Sequence, residues 1–65
     1  MGKTVFEVLI KNFEDDIESS VDFLAQGGAK DFTEYKETVG RIRGLRLAVQ
    51  TTQDLWRSQM EKDDE

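Results

Sequence analysis

The segment "FEDDIESSVD", residues 13–22, holds the densest set of reactive groups in the chain: Glu14, Asp15, Asp16, Glu18 and Asp22, with Ser19 and Ser20 among them. Grouped carboxylates can serve as acid–base pairs or as ligands for a hard cation, and a serine beside a base can serve as a nucleophile. Neither arrangement is complete here. The carboxylates lack the spacing of an EF-hand loop, and a chain without histidine gives Ser19 and Ser20 no imidazole base. There is no phosphate-binding loop and no dinucleotide fingerprint. The block reads as a solvated helix face. No catalytic, cofactor-binding or metal-ligating residue is assigned, and the chain is expected not to be an enzyme.

The second chemically suggestive set is Arg41, Arg43 and Arg46. Arginines so grouped can grip phosphate or an acidic partner. Direct nucleic-acid binding is nevertheless not expected, because a formal charge of -5 is the opposite of a basic footprint. Neutralisation by the acidic block is the simpler reading.

These groups must be positioned by helices. In the first half the apolar residues Phe6, Ile10, Phe13, Ile17, Val21 and Leu24 recur at steps of three and four, the helical period. Thr4 and Glu7 have the spacing of a capping box, so a helix is expected over about residues 4–26. Gly27-Gly28 is the one strong breaker, placing a turn at about 27–30. Asp31 and Glu34 form a second cap-like pair. Tyr35, Ile42, Val49 and Trp56 then recur every seven residues, with Val39, Leu45 and Met60 flanking them, and predict a helix over about 31–61. The charged tail 62–65 has nothing to bury and is expected to fray.

The expected fold is therefore all-α: one domain, an antiparallel two-helix hairpin with a longer second helix. Its core would comprise Phe6, Ile10, Phe13, Ile17, Val21, Leu24, Tyr35, Val39, Ile42, Leu45 and Val49. Counting back from the turn pairs Leu24 with Phe32, Ile17 with Val39, Phe13 with Ile42 and Phe6 with Val49. That register leaves Trp56 and Met60 at or beyond the end of the first helix, either as a docking tip or covered by residues 1–5. A 65-residue chain without cysteine lacks the usual covalent staples, so association with a partner or with itself is expected. No apolar run is long enough to span a bilayer, and the start lacks a signal-peptide pattern.

A second face follows from the same periodicity. Gly40, Gly44, Leu47, Ala48, Thr51 and Leu55 fall on the side of the second helix opposite Ile42. Each helical glycine weakens a helix by about 1 kcal/mol relative to alanine. Two of them four apart let another backbone approach closely, as in small-xxx-small packing. Gly40, Gly44, Leu47, Ala48, Thr51, Leu55, Trp56 and Met60 are accordingly the expected partner interface.

The segment "GGAKDFTEYKETVGRIRGLRLAVQTTQDL", residues 27–55, resembles a pattern found in small acidic helical proteins of tailed bacteriophages. The resemblance lies in a helix, a small-residue turn, the aromatic pair Phe32 and Tyr35, and then the step Gly40, Ile42, Gly44 and Leu45 before a closing helix. It implies a phage-encoded virion structural or assembly protein, located in the virion or the host cytoplasm. Its partners would be itself, as a homo-oligomer or coiled coil, or other phage structural proteins. The resemblance carries over no catalytic residue and implies no cofactor. The alternative is a small acidic inhibitor of a host protein, presenting the acidic first helix to a nucleic-acid-binding surface.

Overall fold

The computed structural model describes residues 4–63, excluding the side chains of Lys62 and Asp63. Two helices account for nearly all of it: α1, Val5–Ala25, and the longer α2, Phe32–Asp63. They pack against each other as an antiparallel hairpin.

The helix ends are set by side chains near the expected boundaries. The Glu7 N–H donates to Thr4 Oγ1 at 3.2 Å, and the Thr4 N–H donates to Glu7 Oε1 at 3.3 Å, completing the capping box. At the start of α2 the Glu34 N–H donates to Asp31 Oδ1 at 2.8 Å. The Glu34 carboxylate reaches one residue further back than in a capping box and accepts from the Lys30 N–H at 2.8 Å. Both caps occupy N–H groups that the helix itself leaves unpaired.

Reversal depends on Gly27 and Gly28. Gln26 caps α1, and Gly27 takes the left-handed conformation at φ 74°. The Gly27 N–H donates to the Leu24 carbonyl at 3.0 Å and the Gly28 N–H to the Phe23 carbonyl at 2.8 Å. This pair of bonds is the Schellman arrangement that closes a helix C-terminus. Gly28 is required for a different reason: a β-carbon there would lie 2.5 Å from the Phe23 ring and 2.8 Å from its carbonyl oxygen. The connection spans residues 26–31, wider than the expected 27–30. α2 also runs through Asp63, into the stretch expected to fray, while residues 64–65 lie outside the described ones.

The seam between the helices is narrow. Among the described residues only Ile42, 8% exposed, is buried. Phe6, Ile10, Phe13, Ile17, Leu24, Val39, Leu45 and Val49 are half-buried along the same line. Two residues expected in the core are not there: Val21 and Tyr35 are exposed. Val21 sits at the margin of the α1 stripe, beyond the reach of a single facing helix. Tyr35 lies in the first turns of α2, and its ring stacks on Phe32 with centroids 6.2 Å apart.

Two substitutions test the reversal. Gly27→Ala, strained at positive φ, and Gly28→Ala, pressed against the Phe23 carbonyl, should each destabilise the hairpin by about 1–3 kcal/mol. In thermal denaturation followed by circular dichroism each should lower Tm by several degrees, at about 4–8 °C per kcal/mol. A Gly28→Ala protein that melts like the parent would show that the reversal tolerates a side chain.

Candidate functional site: the helix faces left uncovered

Covering one stripe of each helix leaves the rest of both in solvent. On the back of α2, Leu47 is 63% and Leu55 52% exposed, and Gly40, Gly44 and Thr51 are exposed beside them. A β-carbon built on Gly40 or Gly44 meets nothing within 4 Å. Nothing inside the hairpin therefore requires glycine at either position. Ala48, expected on this face, is half-buried and stands at its margin toward α1.

Trp56 differs from expectation. It is half-buried, and its ring stacks on Phe6 with centroids 6.0 Å apart and planes 13° from parallel. Phe6 therefore meets Trp56, seven residues beyond the expected Val49, and Trp56 closes the open end of the seam instead of overhanging it. Helical side chains lean toward their own N-terminus by about one residue, which covers only about two of the seven residues from Val49 to Trp56. The rest is an offset from the register counted back from the turn, in line with Ile17 and Val49 bordering one groove. Met60 has no such cover and is 57% exposed. Any cover from residues 1–3 lies outside the described residues.

The charged groups are arranged mainly for solvation. Arg41 approaches Asp16 across the seam at 3.9 Å, with both side chains more than half exposed. That is the only salt bridge between the helices among the described residues. Such a pair contributes about 0–1 kcal/mol. Arg46 and Glu14 border a shallow groove with Ile17 and Val49. Lys11 pairs with Asp15 at 3.3 Å within α1. Among the described residues no three acidic groups are placed to hold a metal ion, and no helix is long and apolar enough to cross a membrane.

One feature of the turn end was not expected from the sequence. Phe32 is 70% exposed, with Lys36 Nζ 5.6 Å from its ring centroid, and Phe23 is exposed beside Gly28. Periodicity placed Tyr35 in the seam and so concealed this aromatic cluster. The adjacency of Phe32, Tyr35 and Lys36 at steps of one and three was its available signal.

Comparison with protein families, curated proteins and solved structures returns no match.

The Phe6–Trp56 stack makes a fluorescence prediction. Phe6→Ala should remove about 0.5–1.5 kcal/mol of ring pairing beyond the lost burial and shift Trp56 emission to the red in the folded chain. Unchanged emission in a variant still helical by circular dichroism would show that the two rings do not cover one another in solution.

Proposed function

We propose that this chain is a non-enzymatic structural or assembly protein, which works by packing the back of α2 into a larger complex. The carrying observation is the open space at Gly40 and Gly44. Each glycine costs the helix about 1 kcal/mol, and no contact within the hairpin compensates. Exposed Leu47 and Leu55 beside them add apolar area that a partner helix would remove from water. A close-approaching backbone accounts for both the glycines and the leucines. The resemblance to small tailed-phage proteins supplies the setting: a virion or its assembly intermediate, with copies of itself or other phage structural proteins as partners.

A second reading, the acidic inhibitor of a host protein, draws on the outer side of α1. Glu18 and Asp22 are exposed there, with Glu14 at the margin toward α2, and none of the three forms a salt bridge with α2 among the described residues. That stripe could imitate a phosphate backbone.

Gly44→Leu distinguishes the two. On the packing reading it leaves the hairpin at least as helical, since leucine is the better helix former, but reduces incorporation into the particle by tenfold or more. Incorporation at the parental level would overturn the packing reading. Glu14→Gln with Glu18→Gln should in turn leave incorporation unchanged, whereas the inhibitor reading expects that pair to lose binding to its host target.

A further inference from the structure

We infer that the back of α2 takes as its partner the outer side of α1 in a second copy of this chain, set alongside in the same orientation. This contact rests on the packing reading and identifies the occupant of the same face. The outer side of α1 is turned away from α2 and carries Val8, Lys11, Asp15, Ser19 and Asp22. All five are exposed, Val8 at 45%.

The two faces match in height. Phe6 stacks on Trp56 across the seam, and Phe23 borders a shallow depression with Thr38. Together these pairs set α1 against α2 along the hairpin. Asp22 comes level with about residue 39 of α2, Ser19 with about 42, Asp15 with about 46, Lys11 with about 50 and Val8 with about 53. A copy displaced sideways without rotation keeps those heights. Arg43 then stands between Asp15 and Asp22 of the second copy, and Asp54 stands about one turn from its Lys11. The N-terminal lean of helical side chains brings Arg43 nearer Asp22 and Asp54 nearer Lys11. Ser19 falls between Gly40 and Gly44, where a β-carbon would meet nothing within 4 Å inside the hairpin. Val8 falls between Thr51 and Leu55, so each helps to cover the other's apolar surface.

They match in side as well. Asp16 and Arg41 mark one broad side of the hairpin, and Glu14 and Arg46 mark the other. Stepping about 100° per residue from these positions turns Arg43 and Asp54, and likewise Lys11 and Asp22, toward the Glu14–Arg46 side. Gly40, Gly44, Thr51 and Ser19 turn toward the Asp16–Arg41 side.

The signs of charge select a second copy. Arg43 and Asp22 form no salt bridge among the described residues, and the Lys11–Asp15 and Arg57–Asp54 pairs are exposed and local. Lys36 and Glu37, nearer the turn, offset one another. A uniformly acidic helix would suit Arg43 and repel Asp54, and a basic one would do the reverse. The outer side of α1 is acidic opposite Arg43 and basic opposite Asp54, the reversal that the back of α2 calls for. The hairpin is a layer 52 × 21 × 12 Å with these faces on its two long edges. Every copy therefore offers both faces, and the contact is head-to-tail.

Sedimentation of the intact chain across micromolar concentrations should show self-association that proceeds past the dimer. Arg43→Glu should weaken it at least tenfold, and adding Asp22→Lys to that variant should recover most of the loss. Single cysteines in this cysteine-free chain give a second measure. Val8→Cys and Thr51→Cys, mixed in equal amounts and mildly oxidised, should form the mixed disulfide in preference to either homodimer. A chain that stays monomeric or stops at a dimer overturns the contact. So does a double variant no stronger than Arg43→Glu alone, or cross-linking mainly within each cysteine variant. None of these outcomes touches the packing reading, which fails instead when Gly44→Leu enters the particle at the parental level.

Discussion

A helix can hide from one neighbour only a single stripe of its surface, and this hairpin gives each helix one neighbour. Among the described residues Ile42 alone is buried, at 8% exposure, in the first half of α2 where α1 runs past it on both sides along the seam. Away from that point the apolar residues are half covered, and at the open end cover comes from aromatic rings. Phe6 and Trp56 close the open end, while Phe32 and Tyr35 stack on each other at the turn. The same constraint produces the uncovered faces. A third helix, or a second hairpin, is the general way in which helical layers of this kind complete a core.

The reversal at Gly27 and Gly28 decides which stripes meet. Its two hydrogen bonds end α1 at a defined residue, and the start of α2 is defined separately by Asp31 and Glu34. With both ends set, the register follows without strong help from charge. Asp16–Arg41 is exposed and long at 3.9 Å, and Arg43 and Arg46 form no salt bridge among the described residues. The expected mutual neutralisation of an acidic α1 and a basic stretch of α2 is thus met by one paired contact among the described residues, Asp16–Arg41.

Much of this was legible because it is local. Capping residues at fixed offsets, a glycine pair and apolar steps of three and four each act within a turn or two of the chain, and they place both helices to within two residues. What was not legible depends on how the helices are set against each other. The Phe6–Trp56 stack depends on the register between the helices, which counting back from the turn misplaces by several residues. Exposure of Val21 and Tyr35 required the width of the seam and the ring stack at the turn. A periodicity wheel drawn for α2 shows its back, where Gly40 and Gly44 lie, but cannot show a surface shared with α1.

The two glycines then bear on how folding and assembly are related. Alanine at both positions would strengthen α2 by up to about 2 kcal/mol in total, with nothing in the hairpin to oppose it. With one buried side chain among the described residues, that is a large share of the stability available. A partner that binds only the folded hairpin stabilises it by mass action, by about 2.7 kcal/mol at a hundred times its dissociation constant. Stability forgone in α2 is of the size that such binding restores. On the packing reading proposed above, a close backbone contact at Gly40 and Gly44 must therefore contribute more than two methyl groups would, or the exchange gains nothing.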